Sequence, residues 1–96
     1  MEYINYKTIP NCLRKYRRAM GFKQRDVAYI LELKGTGAVS RWEHGLCLPS
    51  TINGFKLALL YRTMVDALFI DLMRRLRAEV RNREEGLLKI KKLNGC

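Results

Sequence analysis

The stretch QRDVAYILELKGTGAVSRWEHG, residues 24–45, decides how this chain folds. Its first eight residues put Val27, Ala28 and Leu31 on one side of a helix, and Ala28 is small where a second helix can cross closely. Glu32 to Gly37 then breaks the pattern with two glycines, a turn signal. A short helix is predicted over about 36–44, with Val39 and Trp42 inward and Gly45 as its stop. Two short helices around a glycine-containing turn fit a helix-turn-helix.

The flanks extend this all-helical pattern. Upstream, Asn11 is a good N-cap, and Leu13, Tyr16, Arg17 and Met20 share a face before Gly21, which predicts a helix over about 12–20. Downstream, Ser50 should cap a fourth helix in which Ile52, Phe55, Ala58 and Leu59 recur at helical spacing. Thr63 and Asp66 form a capping-box-like start, and no Pro or Gly follows until Gly86, so a long fifth helix is predicted from Met64 to about 84 or beyond. The expected architecture is all-α, with five helices and an extended last one. Residues 1–10 read as an N-terminal arm, 11–69 as the domain, and 70–96 as a C-terminal helical extension.

Composition narrows the function. The chain has 96 residues, 48% hydrophobic and 29% charged, which is globular rather than disordered composition. Nineteen Lys+Arg against nine Asp+Glu give a formal charge of +10. Residues 1–63 carry 11 basic and 4 acidic groups, residues 64–96 carry 8 and 5, so the excess is spread along the chain. Such an excess favours a polyanion, nucleic acid first and an anionic membrane surface second. No apolar run approaches 18 residues, and no charged-then-apolar segment opens the chain, so a cytoplasmic location without a membrane partner is expected. Cys12, Cys47 and Cys96 are an odd set without a Cys-x-x-Cys pair, which argues against a disulfide framework. His44 and Cys47 have a chelating spacing, but a structural zinc wants four ligands. Neither a metal nor a cofactor is expected, and no small-molecule ligand is evident. Gly35-Thr36-Gly37 lacks the Gly-Lys-Ser/Thr of a phosphate loop. With a single histidine no nucleophilic triad is credible, and Glu84 and Glu85 sit in a charged run, so an enzyme is not expected.

The segment from Leu13 through Leu31, then Val39-Ser40-Arg41-Trp42-Glu43-His44-Gly45, then Pro49-Ser50, resembles the Cro/C1-type helix-turn-helix family, also called the Xre family. Gln24, Ala28, Lys56-Leu57-Ala58 and Asp66-x-Leu68-Phe69 match further positions, so the resemblance covers about residues 12–69. It implies a lambda-repressor-like fold and a double-stranded DNA-binding transcriptional regulator, a repressor-type homodimer on a pseudo-palindromic site. It implies that Gln24, opening the second helix, bonds a DNA phosphate, and that the third helix reads bases. It also implies an ion pair between Arg17 and Glu43 that orients the reading helix.

With Val39, Trp42 and Glu43 facing the domain, a 100° step places Gly37, Ala38, Ser40, Arg41 and His44 outward. Thr36 begins that helix and Lys34 precedes it at the groove edge. Arg41 is the best candidate for a base edge, since its fork can pair with guanine O6 and N7, with a phosphate-only contact as the alternative. Lys23, Arg25, Lys34 and the last helix are the expected phosphate contacts. Two departures from the family stand out. Glu32 occupies the place of a usual Gly, and one extra residue lies between Gln24 and Glu43, so Gly35 is expected to supply the positive φ of a rebuilt turn.

The last helix carries a second stripe, Phe69, Met73, Leu76, Val80, Arg83, Leu87 and Ile90, in the 4-3 spacing of a heptad seam. From Met64 to Lys92 it would reach about 43 Å, beyond the edge of a small domain. A homodimer through 69–83, centred on Phe69, Met73, Leu76 and Val80, is expected, with a frayed tail from Gly86. The alternative is a helix that breaks at Gly86 and folds back. The rival functional class is a protein-interaction module of the same fold, antitoxin-like or an adaptor, with the last helix as its working surface.

Overall fold

The computed structural model describes residues 8–94; most of the expected arm and Cys96 lie outside the described residues. Six helices follow in order: α1 Leu13–Ala19, α2 Gln24–Ile30, α3 Gly37–Glu43, α4 Thr51–Leu60, α5 Val65–Leu68 and α6 Ile70–Leu93. There is no strand among the described residues, so the chain is all-α. The core is one cluster in which Leu13, Val27, Leu31, Val39, Trp42, Leu57, Tyr61, Leu68 and Phe69 are buried together. Trp42 is only 6% exposed and plugs this core, as its inward position in the helical pattern predicts.

The first four helices end in the same way. After each, one residue turns left-handed and two backbone N–H groups reach back to the last-turn carbonyls. At α1 the turning residue is Gly21, at φ +80°, with Phe22 N–H donating to Arg17 O and Gly21 N–H to Arg18 O. At α3 it is Gly45, at φ +73°. At α2 and α4 it is Glu32, at φ +58°, and Arg62, at φ +55°. Glu32 therefore takes the conformation expected of Gly35, which has no positive φ. The reason is local: Leu33 N–H must reach Ala28 O at 2.8 Å to close α2, and that geometry belongs to residue 32 whatever its side chain.

Gly45 has a second duty. A Cβ there would stand 2.5 Å from the Ile9 carbonyl oxygen, because the chain before α1 lies across the end of α3. Ile9 N–H donates to Gly45 O at 2.7 Å. Asn11 clasps the same junction: its Nδ2 donates to Ile9 O and Trp42 O, and its Oδ1 accepts the Leu13 N–H at 3.1 Å. The N-cap position of α1 is Cys12 and not the expected Asn11, which sits one residue earlier, meets the first helical N–H from there and also ties α1 to α3.

On α4, Ile52, Phe55 and Leu59 recur at helical spacing but lie outside the core, at 61, 55 and 79% exposure. Helix α4 presents two apolar stripes of equal period, and Leu57, Ala58 and Tyr61 bury the one that meets the core. Ser50 nevertheless caps this helix, its Oγ accepting the Asn53 N–H. The long fifth helix is two helices, broken at Phe69 (φ −130°, ψ 44°). Leu68 and Phe69 would point about 100° apart in a continuous helix, and the break brings both into the core. Nor does Thr63 cap α5: its N–H donates to Ala58 O to finish α4, and the extended Met64 precedes the helix instead.

The tail is a further correction. Helix α6 neither breaks nor frays at Gly86 but continues to Leu93. One glycine costs about 1 kcal/mol, and the neighbouring Glu, Leu and Lys residues are good helix formers. Lys91 and Lys92 in the last turn also oppose the helix dipole. The radius of gyration is 17.3 Å, against about 12.5 Å for a compact chain of this length. With a long axis of 58 Å, the distal part of α6 projects from the domain. No helix among the described residues is long and apolar enough to cross a membrane.

Because a left-handed conformation costs an L-residue about 1–2 kcal/mol and glycine almost nothing, Glu32→Gly should stabilise the domain by roughly 1 kcal/mol after its own entropic cost. Urea melts of the two proteins will measure it. An unchanged or lower midpoint would show that Glu32 sits there without strain.

Candidate nucleic-acid interface

The exposed face of α3 is held in place from behind by a buried carboxylate. Glu43, the last residue of α3, has a side chain only 1% exposed. Arg17 of α1 grips it with both arms of the guanidinium, Nε to Oε2 at 2.6 Å and Nη2 to Oε1 at 3.0 Å. Gln24 Nε2, from the start of α2, donates to Oε1 at 3.0 Å. Arg14 Nε stands 3.6 Å from the same oxygen. Arg17 completes its fork by donating from Nη1 to the Phe22 carbonyl in the α1–α2 turn. One carboxylate therefore ties together the first three helices and a turn, and the expected Arg17–Glu43 pair is present.

Burial by itself pushes the Glu43 carboxyl up, but the bonds from Arg17 and Gln24 and the charges of Arg17 and Arg14 outweigh it and hold its pKa below the ordinary value. The hydrogen bond to Glu43 raises the Arg17 pKa in turn, against the cost of burial. Burial also pushes the nearby Tyr61 phenol up to about 12, with the Glu43 charge adding to it. The consequence for the surface is electrostatic. Glu43 is internally compensated, so the exposed side of α3 carries no carboxylate and keeps Arg41 and the neighbouring lysine undiminished.

The outward residues divide in a more detailed way than the helical wheel predicts. Gly37, Arg41 and His44 are exposed, as are Lys34 and Thr36 before the helix and Lys23 and Arg25 at the start of α2. Ser40 is half-buried. Ala38 is corrected: it packs against the core, since it lies only about 40° from Trp42 around the helix. Arg41 reaches back over the first turn, as long helical side chains do, so that a Cβ on Gly37 would stand 3.2 Å from its Nη1. Gly37 thus leaves room for the guanidinium at the amino end of α3. His44 also folds back, its Nδ1 lying 2.8 Å from Ser40 O. A carbonyl can only accept, so Nδ1 carries the proton. Lys23 is an N-cap in backbone only, and Asp26 accepts its N–H at 2.8 Å.

Gln24 is placed differently from its expected role. Its amide nitrogen is committed to Glu43, so a phosphate would have to be met by the remaining N–H or by the backbone. Arg14, Lys15 and Arg18, which the sequence pattern did not single out, line a shallow cleft with Asn11, Cys12, Glu43 and His44 beside the end of α3. Their 14, 15, 18 spacing on the outer side of α1 was the available signal. Of the expected dimerisation residues, Phe69 is corrected, being 6% exposed inside its own core. Met73 is half-buried, Leu76 is 39% exposed and Val80 66% exposed. Cys12 and Cys47 are free thiols, and no group of three His, Cys, Asp or Glu side chains converges among the described residues.

No family model matches the chain, and neither a curated protein nor a solved structure matches it significantly.

Arg17→Met and Glu43→Gln should each cost about 3 kcal/mol, since each leaves a buried partner uncompensated, while the double variant loses much less than the sum. Thermal melts will read the cycle, and additive losses would mean that the pair contributes nothing jointly. The pH dependence has a definite sign. A depressed carboxyl contributes stability that is fully present above its unfolded value of about 4.3 and is lost as pH falls through the lower folded value. Glu43→Gln should therefore lose less stability than the parent between neutral pH and the acid limb.

Proposed function

We propose that this chain is a double-stranded DNA-binding transcriptional regulator of the Cro/C1 type, acting without catalysis as a homodimer on a two-fold site in the cytoplasm. The observation that carries the reading is the α3 surface. Lys34, Thr36, Gly37, Ser40, Arg41 and His44 sit on or flank a short helix whose only carboxylate is turned inward and neutralised by Arg17. A helix that offers a guanidinium at its amino end and no negative charge suits the major groove, where base edges are read from that end. Lys23 and Arg25 on α2, with Arg14, Lys15 and Arg18 on α1, stand on either side of α3, and about three of these five meet phosphates in each subunit. The +10 charge adds long-range attraction.

The mechanism is occupancy: two copies of α3 enter successive major grooves, and the bound dimer covers or recruits at a promoter. A second reading, a protein-interaction module of the same fold, is favoured by the exposed Ile52, Phe55 and Leu59 on α4, an apolar stripe that DNA does not need. Selection of bound duplexes from a random pool separates the two, since an interaction module returns no enriched sequence.

Each neutralised phosphate adds about 0.9 to the slope of log K against log salt, and with about three contacts per subunit a dimer slope of roughly −5 to −6 follows. A flat titration would favour the interaction module. Arg41→Ala should relax preference at one base position by about 1–3 kcal/mol. If it instead weakens every sequence equally, Arg41 contacts phosphate and base reading passes to Thr36 or Ser40.

A further inference from the structure

The distal part of α6 leaves the domain with its apolar side uncovered. Val80 is 66% exposed, Leu87 53%, Ile90 57% and Leu93 86%. The helix runs unbroken through these residues, so its side chains can be placed around a common axis. Met73, Val80 and Leu87 then occupy one seam row, and Leu76, Arg83 and Ile90 the other. Arg77, Glu84 and Lys91 flank the seam on one side, Leu72, Glu79, Gly86 and Leu93 on the other.

A second copy can lie along this seam in two directions, and the flanking charges choose between them. In a parallel pair identical rows meet, so Arg83 faces the partner's Arg83 in the seam. Glu79 then faces the partner's Glu84 twice, once on each side. Both are like-charge contacts. In an antiparallel pair the two rows meet each other. Met73 then faces the partner's Ile90, Leu76 the partner's Leu87, and Arg83 lays its stem on the partner's Val80 with its head free to reach water. The flanks now match: Arg77 faces the partner's Glu84, and Leu72 faces the partner's Leu93, each occurring twice by symmetry.

We infer that the α6 helices of two copies pair antiparallel, with Arg77 and Glu84 as the reciprocal ion pairs that set the direction. The inference rests on the dimer of the proposed function and specifies how it is built. It also gives an occupant to the apolar groove between α4 and α6, which Leu48, Phe55, Val65, Phe69, Leu72 and Met73 line. In this register the partner's Ile90 and Leu93 arrive at Met73 and Leu72, at the mouth of that groove. The two Ile70 residues, where the helices leave their domains, stand about 35 Å apart along the pair, against about 10 Å in a parallel one. The longer distance is close to one turn of B-DNA.

Sedimentation equilibrium of the full chain in about 50 mM salt, where ion pairs are least screened, tests the direction. Arg77→Glu and Glu84→Arg should each weaken the dimer by about tenfold, since two facing pairs turn from attraction to repulsion. The double variant Arg77→Glu/Glu84→Arg should restore the parent constant to within about twofold, because the pairs are re-formed with exchanged signs. A parallel pair predicts the opposite for Glu84→Arg, which relieves the contact with the partner's Glu79 and tightens the dimer; that result overturns the inference. A dimer constant unchanged in all three variants also overturns it, while leaving dimerisation through another surface standing. A parent chain that stays monomeric across the micromolar range removes the dimer itself.

Discussion

The contact between Arg17 and Glu43 is the constraint on which the remaining geometry depends. A carboxylate with 1% of its side chain exposed is tolerable only when its charge is met and its lone pairs are used. Here both conditions are satisfied by groups from two other helices, Arg17 from α1 and Gln24 from α2. Such a site fixes orientation more than it adds stability. Apolar packing around Val39 and Trp42 would allow α3 to roll by some degrees, whereas a bidentate guanidinium–carboxylate contact has one good geometry. That fixed orientation decides which side chains of α3 face outward and keeps negative charge off that face. Asn11 reinforces it from the other end by bonding the Trp42 carbonyl.

The same economy of contacts explains why so small a domain can hold a precise surface. Its elements are short, seven residues each for the first three helices, and isolated helices of that length do not persist in water. They are kept by their ends. Each of the first four helices closes through a left-handed residue, and these closures set the angle at which the next segment leaves. Where the angle must also admit a neighbouring backbone, as Gly45 admits Ile9, glycine is required by contact as well as by conformation. At Glu32 and Arg62 no such contact exists, and other residues occupy the turn.

Helix α6 belongs to a different regime. It buries none of its residues, and only its first turn shares the groove with α4. Its persistence to Leu93 comes from helix-forming residues and from favourable charges at its carboxyl end, and its apolar row has no partner among the described residues. A helix built in this way joins two structural scales, the core that positions α3 and the spacing between two such cores.

Much of this was legible along the chain. Helical period and end residues located the first four helices within a residue or two, because Asn11, Gly21, Gly45 and Ser50 carry their conformational preference with them. The inward Trp42 followed from helical spacing, whereas the Arg17–Glu43 pair was implied by the resemblance to the Cro/C1 family. Two matters lay beyond the sequence, and both have the same cause. Whether Ala38 faces out or in and where the fifth helix breaks are decided by what the rest of the core leaves to be filled. Phe69 enters it only if the backbone breaks. Local preference determines where helices form and end. How each is rolled about its axis is a property of the packed whole, since burial rewards the sum of contacts and not any one residue's pattern.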